Sequence, residues 1–239
     1  MELKQNLNLI FDVDAVLRGQ GADATVLRAR RPGLVEVAEQ AMQESFPLLH
    51  PRVAYQEYSV EGVLHEHLVL KDGKKLSGRL VAQQLGAASK IIVILATIGI
   101  ELEEQVSRIW DDNMVFALAL DGAGSASVEA LANAACLYFE QQAAQEELQA
   151  SIPFSPGMVD WPVSEGQSQI FNLLGEAGKI VQLTSSYIMI PRKSLTMVMG
   201  IGADVKTSGK TCDFCLMRGT CRYQDHYGGG AHSAGSVDR

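Results

Sequence analysis

The sequence is poor in the materials that several common protein classes require. It has four cysteines in 239 residues, and three of them crowd into Cys212–Cys221. So sparse and local a set does not staple a small secreted domain, and it points to metal or redox chemistry instead. Positive charge is scarce too: 20 Lys and Arg face 28 Asp and Glu, a net charge of −8. The densest basic stretch, Arg28-Ala29-Arg30-Arg31, is too short to neutralise a phosphate backbone, so nucleic acid is not an expected partner. Long apolar runs are missing. The longest, Ile91 to Ala96 continued through Thr97 to Ile100, is about half of what a bilayer-spanning helix needs, and no membrane partner is expected. Met1–Asn8 carries no cationic segment leading into an apolar stretch, so no secretory leader is expected there and the cytoplasm is the expected location. No internal repeat is visible.

What the chain does hold is an ordinary globular balance, 47% hydrophobic and 20% charged residues. Leu34, Val35, Ala38, Ala41, Met42 and Phe46 share one helical face, and Pro47 ends that helix. Extended segments are expected at Val53–Val60 and Val63–Leu70, the second entering a hairpin turn at Asp72-Gly73. Ile91–Leu95 has the β-branched composition of a buried strand. A helix with Leu102, Val106, Ile109 and Trp110 on one side follows, and Asp112 to Ala150 is helical in composition. Ser164-Glu165-Gly166-Gln167 fits a capping box for a helix that stops at Gly175. Strands are expected at Ile180–Leu183 and at Leu195–Ile201, where Leu195, Met197, Met199 and Ile201 alternate onto one face. The sum is an α+β domain over residues 1–204 with a Cys-rich tail over 205–239, whose Gly228–Gly235 stretch has the composition of a disordered segment.

Four groups of residues could carry chemistry. Asp121-Gly122-Ala123-Gly124-Ser125-Ala126-Ser127 follows the apolar Met114–Leu120 and imitates a strand entering a phosphate-cradling Gly-x-Gly loop. Ser127 stands at the third glycine position and more helical sequence follows, which favours small residues in one long, closely packed helix. His65 and His67, two apart, would share a strand face and could chelate a metal, or form an exposed polar face beside the turn. Cys212-x2-Cys215-x5-Cys221 could grip a metal, with His226 completing a zinc site or Cys136 completing an iron–sulfur cluster; a redox dithiol is the alternative. Ser155-Pro156-Gly157-Met158 has the residues of a type II turn, whose glycine lets a ligand approach the main chain. Trp161, between Asp160 and Pro162, offers a π face to a cation such as a sulfonium.

The order of these pieces, Ala96-Thr97-Ile98-Gly99, Asp121 through Glu129, Ser155-Pro156-Gly157 with Asp160-Trp161-Pro162, then Leu183-Thr184-Ser185-Ser186, Pro191 and Lys193-Ser194, resembles the activation (reactivation) domain of cobalamin-dependent methionine synthase in a free-standing form. The resemblance spans most of residues 10–204. It implies a curved domain built on a twisted antiparallel sheet with flanking helices. It also implies that S-adenosylmethionine is held over the corrin of a partner protein while flavodoxin or ferredoxin supplies an electron, and that methyl transfer traps the reduced cobalt. Positioning of the sulfonium methyl is then the domain's contribution, and no general base is required.

The resemblance assigns Ser155, Pro156 and Gly157 to the ligand-lining turn, with Met158 and Trp161 beside it, and draws attention to Glu129. The family turn commonly reads Arg-x-x-Pro-Gly-Tyr. Pro153 and Met158 stand at the Arg and Tyr places, which removes a bidentate clamp on the ligand carboxylate and leaves Arg192 or Lys193 as its replacement. The expected protein is an accessory factor that reactivates cobalamin in a methionine synthase or related corrinoid methyltransferase. A metal or iron–sulfur redox protein acting on a corrinoid protein without S-adenosylmethionine is the alternative. A methyltransferase built on the Gly122/Gly124 loop would require a parallel sheet in place of a long helix.

Overall fold

The computed structural model describes residues 1–3 and 7–221. Helices α1 (Val13–Gly19), α2 (Ala24–Arg30) and α3 (Pro32–Ser45) lead into strands β1 (Arg52–Leu64), β2 (His67–Leu70) and β3 (Lys75–Ser77). Helix α4 (Arg79–Leu85), strand β4 (Lys90–Thr97), helices α5 (Glu101–Ile109) and α6 (Met114–Gln145) and strand β5 (Gln149–Ala150) follow. Helix α7 (Val163–Leu174), the short pair β6 (Gln182–Leu183) and β7 (Met189–Ile190), and strand β8 (Ser194–Gly202) complete the domain. The main sheet has the order β3-β2-β1-β4-β8-β5 and every neighbouring pair is antiparallel. This is the expected α+β architecture, a sheet with flanking helices.

The sheet is covered on both faces, which explains the continuous apolar sequence of β4. Ile92, Ile94 and Ala96 enter one core with α6, α5 and the β8 residues Met197, Met199 and Ile201. Ile91, Val93 and Leu95 enter the other with α4 and α7. The alternation expected for Leu195, Met197, Met199 and Ile201 holds, since all four pack on the α6 side. Residues 114–145 are helix, so the Gly122/Gly124 segment is not a phosphate loop, and with an antiparallel sheet the loop-based methyltransferase is eliminated. A Cβ on Gly19 would stand 2.3 Å from the Gly122 carbonyl oxygen, and one on Gly122 would stand 2.7 Å from that of Val16. The small residues let α1 press against α6.

By length and composition α6 could cross a bilayer, something a count of unbroken apolar runs misses because Gly, Ser and a few polar residues interrupt it. Sixteen of its 32 residues are buried in the fold, and a helix apolar on nearly all sides belongs inside a core.

Several local expectations change. Asp72 and Gly73 have φ of 64° and 70°, the backbone of a tight hairpin turn as expected, but an earlier turn divides the Val63–Leu70 segment. His65 occupies it at φ 55°, so alternation cannot bring His65 and His67 onto one face. His67 begins β2, and its Nδ1 is 2.8 Å from Ser77 Oγ. Helix α7 opens directly after Pro162 without a side-chain cap, which puts Ser164 inside its first turn and removes the capping box; Gly175 ends it at φ 54° as expected. Ile180 closes a short 3-10 segment, and only Gln182–Leu183 pairs as a strand. His226 and Gly228–Gly235 lie outside the described residues.

Candidate functional site

The Ser155–Met158 turn forms as its residues dictate. Gly157 adopts φ 98°, and the Met158 N–H donates to the Ser155 carbonyl at 3.3 Å. The chain then doubles back: the Gly157 N–H donates to the Trp161 carbonyl at 2.8 Å, and the Trp161 N–H to the Met158 carbonyl at 3.1 Å. These bonds occupy the glycine N–H that the sequence left available to a ligand. Among the described residues, no hydrogen bond to the Pro156 carbonyl is present, which leaves an acceptor of a polarity suited to a cation.

Trp161 is not a ligand platform. Its side chain is 0% exposed and packs with Phe154, Met158, Ile170 and Leu174. Its pyrrole edge lies between two glycines, with Cδ1 3.0 Å from where a Cβ on Gly78 would stand and Nε1 2.9 Å from where one on Gly166 would stand. The buried Nε1 has no hydrogen-bond partner. Met158 is buried beside it. The large apolar surface of both side chains is worth more in the core than facing a polar ligand.

Next to the turn, residues of β2, β3, α4 and the 160–165 segment line a cleft of about 370 Å³, within the size range of small-molecule sites. Glu66, Asp160 and Glu165 bring carboxylates to it and Arg79 a guanidinium. Sequence reading missed this cleft because its lining comes from three separated segments. The only hint was the glycine at 78, whose φ of 150° few other residues adopt.

The remaining expected residues sit elsewhere. Lys193 belongs to the α6 side: its Nζ is 2.8 Å from Asp121 Oδ1 and 2.9 Å from Ser125 Oγ, and its N–H donates to Glu103 Oε1 at 2.8 Å. Paired in this way, it does not replace the missing clamp at the turn. Arg192 is exposed at the approach to β8. Glu129 lies on α6, one turn beyond Ser125, and burial pushes its carboxyl up to about 7 against the opposing pull of the Arg18 guanidinium. The turn and the Glu129–Lys193 group therefore pack on opposite faces of the sheet.

The Glu129 environment has a pH signature. Unfolded, the group titrates near 4.5; folded, it keeps its proton to about 7, so the fold loses stability as pH rises through that window. Glu129→Gln removes the loss. Urea unfolding at pH 8 should find the variant more stable by about 1–3 kcal/mol, with the difference gone by pH 4.

The cysteine segment folds back onto the turn. Cys215 bridges to Met158, the Val159 N–H donates to the Phe214 carbonyl at 2.9 Å, and the Phe214 and Phe154 rings meet edge-on at 5.6 Å. Cys212, Cys215 and Cys221 are of intermediate exposure. Among the described residues, no three His, Cys, Asp or Glu side chains gather as a metal site. Cys136 cannot complete one: it is buried in the core on the α6 side, its thiol pushed up to about 12 by that burial, 3.4 Å from the Met197 sulfur. Phe214→Ala should cost about 1–2 kcal/mol and speed alkylation of Cys215, read by iodoacetamide labelling.

No protein-family model and no curated protein matches the sequence. Among solved structures, the MetH reactivation domain bound to AdoHcy is similar in fold, with a TM-score of 0.59 and 16% identity, covering 80% of this chain and 71% of that one. The similarity bears out the fold class expected from the sequence.

Proposed function

We propose that this protein binds S-adenosylmethionine and supports reductive methylation of cobalamin in a methionine synthase or related corrinoid methyltransferase. The observation that carries this reading is the shared fold over 80% of the chain with a reactivation domain solved with AdoHcy. The chain's own chemistry is consistent with it. The Ser155-Pro156-Gly157 turn leaves the Pro156 carbonyl oxygen without a donor, and the adjoining cleft holds more carboxylates than cations, so both favour a ligand with a sulfonium charge. The work asked of these residues is orientation: holding a methyl in line with a transient nucleophile on the partner's cobalt, with electrons arriving from a flavodoxin- or ferredoxin-like donor. Isothermal calorimetry with S-adenosylmethionine tests the first step. Saturable binding at one site is expected, and absence of heat at millimolar ligand overturns it.

A second reading, a metal or iron–sulfur redox protein acting on a corrinoid protein without S-adenosylmethionine, draws support from the direct pairing of Cys215 with the Met158 end of the turn. The described thiols do not converge on a metal position, so no step is routed through one. Protein prepared without oxygen separates the readings: stoichiometric iron and visible colour, with no response to S-adenosylmethionine, would favour the second.

A further inference from the structure

We infer that the cleft beside the turn binds the amino-acid end of the ligand, with Arg79 as the partner of its carboxylate. The assignment rests on S-adenosylmethionine being the ligand and supplies the guanidinium that the turn lacks at Pro153. Arg79 is the first residue of α4 and lines the cleft with Glu66, Asp160 and Glu165. Among the described residues, none of these four side chains forms an ion pair or a hydrogen bond with another. One guanidinium and three carboxylates thus face a single cavity without neutralising one another. With a guanidinium for a carboxylate and an excess of carboxylates for cations, the lining suits a molecule carrying one carboxylate, one ammonium and one sulfonium better than a simple anion.

The cleft's walls are built to stay in place. Gly78, just before Arg79, holds φ 150°, and Asp160 holds φ 55° although it is not glycine. Both pack at the buried indole of Trp161, where a Cβ on Gly78 would stand 3.0 Å from Cδ1 and 3.4 Å from the Asp160 carbonyl oxygen. The Arg79 guanidinium, at the start of α4, can offer a carboxylate two parallel hydrogen bonds. The neighbouring carboxylates then select the ammonium two bonds and the sulfonium four bonds from the ligand's carboxylate carbon.

The test is a calorimetric comparison of two ligands on two proteins. S-adenosylmethionine and its decarboxylated analogue, which lacks only the carboxylate, are titrated into the wild type and Arg79→Ala; Arg79 is exposed, so the fold should survive, checked by an unchanged unfolding midpoint. Arg79→Ala should weaken S-adenosylmethionine by about 10- to 100-fold and leave the analogue unchanged within a factor of two, and Arg79→Lys should recover part of the loss. Equal binding of S-adenosylmethionine to both proteins, or equal weakening of both ligands, overturns the assignment alone. No binding of either ligand to the wild type overturns the S-adenosylmethionine reading and the assignment with it.

Discussion

Trp161→Ala should cost about 3–5 kcal/mol of stability, the range for deleting a fully buried aromatic side chain. The indole is 0% exposed and sits where the turn, the start of α4 and the first turns of α7 meet. No neighbour can move into the space cheaply. Gly78 and Gly166 have no side chains to extend, and Pro156, whose ring carbons come within 2.8 Å of a Cβ position on Gly166, is held in the turn. At about 2–4 °C per kcal/mol for a chain of this size, the unfolding midpoint should fall by about 10 °C. Trp161→Phe is the control. It keeps most of the apolar contact and removes an N–H that has no partner, so its cost should be well under half that of the alanine variant. Thermal unfolding followed by circular dichroism checks both. An alanine variant as stable as the wild type would mean that the indole is not the element joining turn, cleft and α7.

Gly122→Val should cost about 3 kcal/mol, at the upper end of the usual overpacking penalty. A Cβ at this position would lie 2.7 Å from both the Val16 carbonyl oxygen and the Gln20 side chain, and the reciprocal position on Gly19 meets the Gly122 carbonyl itself. The Gln20 side chain can swing aside but the Val16 and Gln20 backbone cannot, so relief requires α1 to move off α6, opening the small core of Val16, Leu17, Ala123 and Ala126. Gly33→Val, where a Cβ meets nothing within 4 Å, should be near neutral, because valine is no worse a helix former than glycine. Urea unfolding of the two variants measures the gap. Equal costs would mean that the close approach of α1 to α6 at Gly122 carries no penalty of its own.

These two variants also mark where sequence reasoning succeeds and fails in this molecule. Gly122 and Gly124 were legible as packing residues because helical composition continues past them, and a phosphate loop needs a third glycine, where Ser127 stands, and a parallel strand behind it. The β4 run, the Asp72-Gly73 turn and the stop at Gly175 were legible because local backbone demands and burial on both sheet faces act on neighbouring residues. Trp161 was misread since nothing in Asp160-Trp161-Pro162 says which way the chain doubles back; the ladder from Met158 to Trp161 decides it. His65 and His67 were misread because the turn at His65-Glu66 contains neither glycine nor proline to signal it. The cleft was invisible, as Glu66, Arg79 and Asp160 come together only through pairing of β2 with β3 and the placement of α7. The contact between Cys215 and the turn is of the same kind. The motif was plain in the sequence, but its position against Met158 depends on tertiary packing.

The central claim is that this chain presents a methyl donor to a reduced corrin, and one measurement addresses it directly. A cobalamin-dependent methionine synthase lacking its own activation domain is poised in the cob(II)alamin state and followed by electron paramagnetic resonance, with a chemical reductant and S-adenosylmethionine present. Adding this protein should abolish the cobalt signal and release one S-adenosylhomocysteine per methylcobalamin formed, with no effect when S-adenosylmethionine is omitted. A signal that persists unchanged, with the methyl donor unconsumed, would contradict the account.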